Sequence, residues 1–478
     1  MLFIFKESIL RKRIVIGSVG AAWAIALAAA TPAWAAPASE EHDLGIQAQP
    51  INQWTGVWTR STLLGDMGGL RTWMGNYGLS LGLTETSEYL HNNSGGIKTG
   101  GAYDGLTTMT LGLDTQKAFG WSGGQFNASF MNLHGSDLSQ TNLGSLNTAS
   151  GIEQPQNWTR LWELWYDQKF AGNQFDVKIG QQSLDQEFMT SQNAGIFVNT
   201  MMGWPGVPSY DMPNGGPAYP LSSLGVRVRA QITPSLAAMA GVFDGNPLGN
   251  DANNRRGTNF NLQNNALFIG ELQYSINGAA AGEGGMVEPG SGGLPGLYKI
   301  GVWYNTGTSA DPRYDNTGLS LANPNSTGVA RQHRGNYSLY GVADQTIWQP
   351  DPEDARALNV FARVMGSPGD RNQVSWSANA GLVLKKPFAG RDNDSLGIGL
   401  SYIRIGSHTA GYDQDQGNAV RSSETALELT YQYQLTPWWL IQPDVQYTIH
   451  PGAGQNPNNP LQSLRNTFVV GVRTTITF

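Results

Sequence analysis

Apolar and polar residues alternate along most of the chain, and the last thirteen residues show this most clearly. Between Asn466 and Phe478, one set of alternate positions carries mostly phenylalanine, isoleucine and valine, while the other carries mostly threonine, glycine and arginine. A period of two indicates a β-strand with one apolar face. At the end of a soluble chain, such a strand would leave an edge prone to aggregation. In a membrane barrel the edge is paired and the apolar face contacts lipid.

Sixteen such segments follow one another, which predicts an all-β fold: a transmembrane antiparallel barrel of about sixteen strands spanning residues 79–478. With an even number of strands, the first strand begins and the last strand finishes on the periplasmic side. A barrel of about sixteen strands is wide enough to enclose a water-filled channel. The predicted segments are 79–90, 106–115, 125–134, 159–170, 175–182, 223–232, 236–243, 265–275, 297–306, 336–348, 358–365, 374–385, 395–405, 425–435, 439–450 and 466–478.

The connections between the predicted strands tend to alternate in length. Residues 171–174 and 436–438 form short turns, whereas residues 183–222 form a long loop. Short periplasmic turns and long outer loops are typical of outer-membrane barrels. Two connections fit poorly, because 366–373 is short for an outer loop and the glycine-rich 276–296 is long for a periplasmic turn. The alternative fold, several soluble β-sandwiches, would need interdomain linkers, and none is visible.

Residues 1–35 have the features of a secretory signal peptide. A basic start is followed by an apolar stretch from Ile14 to Ala30. The small residues of Ala33-Trp34-Ala35 then predict cleavage before Ala36. A membrane-anchor helix is the alternative interpretation.

Residues 36–78 predict a periplasmic segment that contains a short helix. Leu63, Met67, Leu70 and Met74 recur at helical spacing. Ser61 or Thr62 could cap the start of this helix, and nearby glycines weaken it. We expect it to pack at the periplasmic mouth of the barrel.

The composition of the chain agrees with this fold, and its net charge argues against one class of function. The chain contains 61 glycines and 14% charged residues, and it contains no cysteine that could form a disulfide. After the first 40 residues there is no apolar run long enough for a transmembrane helix. Removing residues 1–35, with four Lys or Arg and one Glu, changes the net charge from −7 to −10. This charge argues against nucleic acid as a partner.

If the apolar residues of each strand face lipid, the alternate residues line the channel. Residues 159–170, for example, would turn Trp162, Leu164 and Tyr166 toward lipid. The charged and aromatic residues predicted to line the pore are Glu163, Trp165, Asp167, Lys178, Arg227, Arg229, Glu271, Trp303, Arg363, Glu428, Asp444 and Arg473.

This lining mixes both signs of charge with amides and indoles. A lining of mostly one sign would select ions, whereas mixed donors, carboxylates and aromatic faces suit a neutral polyhydroxylated solute. The alternative is that these groups are the ordinary solvated or mutually paired charges of a water-filled pore.

Residues 183–222 form the longest predicted loop. Loops of this length in a compact protein are usually functional. Its apolar residues, such as Phe188 and Phe197, favour a loop that folds into the lumen and narrows it, although an outer cap over the other loops is an alternative. The residues predicted to form the constriction are Asp185, Glu187, Trp204, Tyr210 and Asp211.

Several short motifs stand out along the chain. They are LGDMGGLR at 64–71, TRLWELWY at 159–166, GGPAYP at 215–220 with GVR at 225–227, and LTPW at 435–438 with QPD at 442–444 and PG at 451–452. Together these motifs resemble the OprB-type carbohydrate-selective porins of Gram-negative outer membranes. The resemblance covers nearly the whole chain after residue 35 and departs from the family at Met67, where an aromatic residue is usual.

The resemblance implies a sixteen-stranded outer-membrane porin that passes monosaccharides such as glucose by facilitated diffusion. It also implies a constriction lined by charged residues. The terminal Phe478 resembles the signal that the barrel assembly machinery reads, so sugar solutes, outer-membrane lipid and that machinery are the expected partners.

Two other functions compete with this hypothesis. A general or ion-selective porin would share the fold, and an outer-membrane barrel enzyme would need a nucleophile or activated water with a base nearby. The six histidines are scattered without metal-ligand spacing. We therefore expect no catalytic residues, no metal and no cofactor.

Overall fold

The computed structural model describes residues 56–154, 157–249, 254–260, 262–277, 293–351 and 354–478. The described residues form sixteen strands in one closed antiparallel barrel, in which β1 also pairs with β16. This confirms the predicted fold class. The strands are β1 (Leu79–Ser94), β2 (Gly100–Asp114), β3 (Gly124–Gly135), β4 (Trp158–Phe170), β5 (Phe175–Gln182), β6 (Ser223–Thr233), β7 (Leu236–Asp244), β8 (Ala266–Ile276), β9 (Gly296–Asp315), β10 (Ala330–Trp348), β11 (Ala357–Gly366), β12 (Val374–Lys385), β13 (Ser395–Ile405), β14 (Ser423–Thr436), β15 (Trp439–Ile449) and β16 (Thr467–Thr477).

Five α-helices accompany the strands in the described part of the chain. Among these residues, no helix has both the length and the apolar character needed to span a bilayer. The predicted signal peptide and most of the glycine-rich connection 276–296 lie outside the described residues. The helices are α1 (Leu70–Asn76), α2 (Thr115–Phe119), α3 (Thr200–Gly203), α4 (Gly206–Asp211) and α5 (Ser407–Asp415).

The N-terminal helix begins later than the sequence pattern predicted. Gly68 and Gly69 have φ angles of +70° and +95°, a left-handed conformation that interrupts a right-handed helix, so α1 begins only at Leu70. In α1, Arg71 donates hydrogen bonds to the carbonyl of Leu81 at 2.7 Å and to the carbonyl of Phe478. The helix therefore lies at the end of the barrel where β1 begins and β16 finishes.

Strands β9 and β10 are longer than predicted. They reach Asp315 and start at Ala330, so most of the predicted outer loop 307–335 is a hairpin extension. The Asp315 carboxylate accepts hydrogen bonds from the backbone N–H groups of Leu319 and Thr327 at 2.9 and 2.8 Å, which fixes the connecting turn. The extension was missed because polar residues fill both of its faces, so the alternation of apolar and polar residues disappears there.

One predicted lipid-facing residue, Trp162, lies on the inside of the barrel. The pairing of β3 with β4 shifts between Ser129 and Phe130, which indicates a bulge in β4 near Trp162. A bulge adds one residue to a strand and resets the alternation of faces. Trp162 and Glu163 are consequently both buried, and Trp162 packs edge-to-face with Tyr219 at 5.8 Å between ring centroids.

Candidate functional site

The loop 183–222 lies inside the barrel. On β8, the carboxylate of Glu271 accepts the N–H of Met189 at 2.8 Å. On β14, the carboxylate of Glu428 accepts the N–H groups of Val198 and Asn199 at 2.6 and 3.1 Å. Because these two strands lie six positions apart around the barrel, the loop crosses the lumen and does not cap the outer loops.

A single arginine of β11 holds the middle of this loop. Arg363 is 2% exposed and donates only to acceptors in the protein interior. Its planar guanidinium carries five N–H donors in a fixed fork, which suits several acceptors at once. The loop carbonyls that accept from it are those of Met189 at 2.8 Å, Met201 at 2.9 Å, Met202 at 2.7 Å and Gly203 at 3.0 Å.

Apolar contacts fix the same loop against the barrel wall. Phe188, Trp204 and Val207 pack in one buried cluster with inward residues of β7 to β10, including Trp303 and Tyr340. Trp303 is 0% exposed, so its indole packs the loop and offers no face to a solute. Trp303 points inward, as predicted, and the inserted loop covers it.

Charged side chains of β4, β5 and β6 form a compact cluster on the adjoining part of the wall. Strand register places Asp167, Lys178 and Arg227 side by side. Arg227 contacts Asp176, lies 3.9 Å from Asp167, and places its Nε 2.5 Å from Glu187 of the loop. We call these residues the charge cluster. The charge cluster comprises these ion-paired residues and the side chains packed around them, namely Glu163, Trp165, Asp167, Asp176, Lys178, Asp185, Glu187, Arg227 and Arg229.

Within the charge cluster, the three basic side chains all lie close to carboxylates, of which there are five. Lys178 contacts Glu187 and lies 4.3 Å above the ring centroid of Trp165. The nearby carboxylate of Glu163 accepts the N–H of Ser183 at 3.0 Å. Nearly every charge in this part of the wall therefore has a partner of opposite sign or a hydrogen-bond donor.

Most of the remaining predicted site residues hold loops, whereas Asp444 accepts from Gln446 of its own strand at 2.9 Å, and all of them lie away from the charge cluster. Tyr210 donates to the carbonyl of Leu146 at 2.7 Å, and Asp211 accepts from Ser367 at 2.6 Å. Arg473 donates to Glu88 at 2.8 Å. The predicted residues in this second group are Trp204, Tyr210, Asp211, Glu271, Trp303, Arg363, Glu428, Asp444 and Arg473.

A second loop inside the barrel was not predicted. Residues 136–154 also dip into the lumen, where Glu424 of β14 accepts the N–H groups of Leu146 and Asn147 at 2.8 and 2.5 Å. Arg473 donates to Ser150 of the same loop at 2.9 Å. Glu424 lies just before the predicted start of its strand, so it was not assigned to the inward face. Extending the predicted strand by one residue would have placed Glu424 on the inward face, with Glu428.

Arg160 and Trp162 were also missed as interior residues. The three side-chain nitrogens of Arg160 and the indole nitrogen of Trp162 are buried without a hydrogen-bond partner among the described residues. The guanidinium carbon of Arg160 lies 5.8 Å from the ring centroid of Trp158. This part of the wall therefore has unused hydrogen-bond donors beside the charge cluster.

A polar pocket of about 240 Å³ lies between the inserted loop and the outer ends of β9 and β10. Its lining includes Tyr210, Asn305, Asn336 and Arg371. Arg371 also donates to Asp370 at 2.8 Å, and this hydrogen bond holds the pKa of the Asp370 carboxyl below its usual value. The pocket offers amide and guanidinium donors on the outer side of the channel.

Comparison with known proteins assigns the chain to a family. Residues 98–478 match the family model described as the carbohydrate-selective porin, OprB family. The chain belongs to this family. It is therefore a porin of the Gram-negative outer membrane that carries sugar solutes, and family membership assigns a channel rather than an enzyme.

Two curated relatives and one solved structure agree with this assignment. Porin B of Pseudomonas aeruginosa is 25% identical over 430 residues, covering 84% of this chain and 89% of the relative. The putative porin QuiX of Acinetobacter baylyi is 26% identical over 425 residues, with 83% and 89% coverage. A high-pH structure of Pseudomonas putida OprB shares the fold, with a TM-score of 0.77 and 23% identity over 88% of this chain and 99% of that one.

We predict that Arg363→Lys loosens the inserted loop and enlarges the channel of this OprB-family porin. A lysine cannot reproduce the fork that reaches four carbonyls, so we expect the free energy of unfolding to fall by about 2 kcal/mol. Single-channel conductance should rise, and protease should cleave within 183–222. Arg404→Lys is the control, because Arg404 is exposed on β13. Unchanged conductance and unchanged proteolysis for Arg363→Lys would contradict this role.

Proposed function

We propose that the channel passes neutral monosaccharides such as glucose by facilitated diffusion, and that its constriction is lined by the charge cluster where the loop 183–222 joins it. The observation that carries this proposal is the pairing within the charge cluster, where Arg227 contacts both Asp176 and Glu187. Paired charges supply dense hydrogen-bonding capacity with a weaker field than the same charges would have unpaired. A neutral solute with many hydroxyls gains from the first property and is indifferent to the second.

Hydrogen bonding is the main means of recognition in this proposal. Lys178 covers the ring of Trp165, so this indole is not a free platform for a sugar ring. The amide-lined pocket near Asn305 and Asn336 lies where hydroxyl groups could accept and donate hydrogen bonds. We propose that a sugar exchanges its hydration shell for these groups as it passes.

The alternative of an ion-selective porin is less well supported. Selection by charge needs a lining of predominantly one sign, whereas Arg227, Lys178 and their carboxylate partners alternate along the register of β4 to β6. A general porin with no sugar preference remains the competing function, and sugar-dependent conductance distinguishes the two.

We also propose that the barrel has no enzymatic activity. Two histidines, His333 and His408, each lie 3.0 Å from an oxygen of Asp311 in the outer hairpin extension. No described residues form a group of three or more His, Cys, Asp or Glu that could hold a metal ion. We assign the His–Asp contacts a structural role in tying α5 to β9.

We predict that glucose reduces the single-channel conductance of the wild-type protein, and that Arg229→Gln weakens this block. Losing one charged hydrogen-bond donor should raise the half-blocking glucose concentration by about tenfold. The barrel should stay folded, because pore-lining positions tune selectivity more than stability. Planar-bilayer recording measures the block, and Arg404→Gln on the outer face is the matched control.

The same recordings test the proposed function as a whole. Arg227→Gln should shift the ion preference toward cations, because it leaves Asp176 and Glu187 without their shared partner. A wild-type conductance that glucose leaves unchanged, together with strong ion preference, would overturn the sugar-preferring channel. Hydrolysis of phospholipid or peptide that is lost on replacing His333 would overturn the proposal of a channel without enzymatic activity.

We propose that residues 1–35 are removed on export. We also propose that the barrel assembly machinery assists the mature chain and that outer-membrane lipid surrounds it. The basic start, the apolar stretch and Ala33-Trp34-Ala35 support the first step. N-terminal sequencing of protein purified from outer membranes should begin at Ala36. A mature chain that retains residues 1–35 would contradict the cleavage.

A further inference from the structure

Helix α5 bridges separate parts of the outer rim of the barrel. It follows β13 in the chain and packs against β9, although β10, β11 and β12 lie between those two strands around the barrel. The N–H of Gly406, just before the helix, donates to the carbonyl of Gln373 at 2.8 Å, so the connection between β11 and β12 lies beside its start. We call α5 (Ser407–Asp415) the strap, because it joins elements that the barrel wall holds apart.

One carboxylate of β9 holds the start of the strap. The side chain of Asp311 is 0% exposed, and each of its two oxygens contacts a different histidine. Nδ1 of His408 on the strap lies 3.0 Å from one oxygen, and Nε2 of His333 on β10 lies 3.0 Å from the other. Nδ1 of His333 lies 3.7 Å from the carboxylate of Asp370, in the connection between β11 and β12. We call Asp311, His333, Asp370 and His408 the clasp.

The other end of the strap is held by an ion pair of a different kind. Arg313 of β9 donates through Nε and Nη2 to the two oxygens of Asp415, each at 2.8 Å. These hydrogen bonds from Arg313 hold the pKa of the Asp415 carboxyl below its usual value. Arginine stays charged throughout the physiological pH range. This end of the strap is therefore bound at any pH at which histidine titrates.

The strength of the clasp depends on the charge of its two histidines. In the described part of the chain, no lysine or arginine forms an ion pair with Asp311, so His333 and His408 supply its counter-charge. A charged imidazole donates from both ring nitrogens, whereas a neutral one donates from a single nitrogen and has a lone pair on the other. Because His333 has a carboxylate on each side, its neutral ring turns a lone pair toward one of them. Protonation therefore strengthens the clasp, and deprotonation weakens it.

The other titratable groups around the clasp keep their charge when histidine titrates. Tyr314 of β9 packs edge-to-face with the His408 ring, at 5.1 Å between centroids. None of these groups changes charge between about pH 5 and pH 8, so the two histidines alone make the clasp sensitive to pH. The charged groups are Arg313 on β9, Arg331 on β10, Arg371 beside Asp370, Asp413 and Asp415 on the strap, and Arg421 after it.

Arg371 connects the clasp to the channel. Its Nε donates to Asp370 of the clasp at 2.8 Å, and its Nη1 donates to the carbonyl of Gly335 on β10 at 3.0 Å. The same arginine lines the polar pocket between the inserted loop and the outer ends of β9 and β10. A change in the clasp therefore alters the support of a side chain at the outer end of the channel.

We propose that α5 is a pH-sensitive strap at the outer entrance of the channel. Near pH 5, the charged histidines hold the start of the strap on the rim, and the entrance is narrow. Near pH 8, the start is released at His408 while Asp415 stays bound, so the strap pivots outward and the entrance widens. The proposal concerns entry into the channel and holds whichever solute the channel prefers.

Hydrogen exchange read by mass spectrometry tests the release of the strap in the full-length protein in detergent. Amides of residues 410–412 should exchange about tenfold faster at pH 8 than at pH 5, after correction for the intrinsic effect of pH, because a charged hydrogen bond is lost. His408→Gln should exchange at the faster corrected rate at both pH values. Equal corrected rates in the wild type at pH 5 and pH 8 would overturn the proposal.

Single-channel conductance at constant ionic strength tests the effect on the entrance. The wild-type conductance should rise from pH 5 to pH 8, and His408→Gln and Asp311→Asn should show the higher value at both. His91→Gln is the matched control and should behave as wild type, because His91 lies near the outer end of β1, across the barrel from β9. Heat-modifiable gel mobility shows that each variant is folded. A pH-independent wild-type conductance, or folded His408→Gln with the wild-type pH dependence, would refute the strap.

Discussion

The structure depends on one constraint, namely that backbone placed inside the barrel must have its hydrogen bonds satisfied there. A barrel of this size is too wide for its own side chains to fill, and two loops enter it. Each loop brings N–H and C=O groups that lose solvent contact. Inward carboxylates accept the N–H groups, as Glu428 and Glu424 do, and Arg363 donates to the carbonyls. Many of the charges inside this porin therefore stabilise loop backbone.

This constraint explains why the inward charges differ in role. Glu271 and Arg363 form hydrogen bonds with the backbone of the inserted loop. The charge cluster on β4 to β6 instead pairs mainly with itself, because its register places Asp167, Lys178 and Arg227 next to one another. Glu187 is the point where the loop joins this cluster. The candidate constriction is thus an edge of the loop packed against a charged wall.

Much of the fold could be predicted from the sequence because a lipid-facing barrel imposes a strict period of two. Strands β5, β12 and β13 have the predicted boundaries. The prediction failed in the polar hairpin extension, because no apolar face is needed there and the alternation disappears. It also failed at Trp162, because a bulge adds a residue and shifts the alternation. The late start of α1 depends on the φ angles of two glycines. A spacing of apolar residues does not encode those angles.

The candidate site was harder to predict. The alternation along a strand shows which face a side chain is on, but it does not show which residue that side chain contacts. Arg227 and Arg363 have the same inward pattern in the sequence, yet one pairs with carboxylates and the other with carbonyls of a loop. That difference arises from how a forty-residue segment folds in the lumen. Packing between distant parts of the chain determines it, and local propensity does not.

The contact between α1 and the last residue bears on how the barrel is made. Arg71 donates to the carbonyl of Phe478, and β1 pairs with β16, so the closing seam joins the first and last strands of the barrel. Closing a loop of nearly the whole chain carries the largest entropic penalty of any strand pairing here. Until the C-terminus arrives, the growing sheet has two unpaired edges in lipid. Biogenesis must therefore shield both edges until the final strand is delivered.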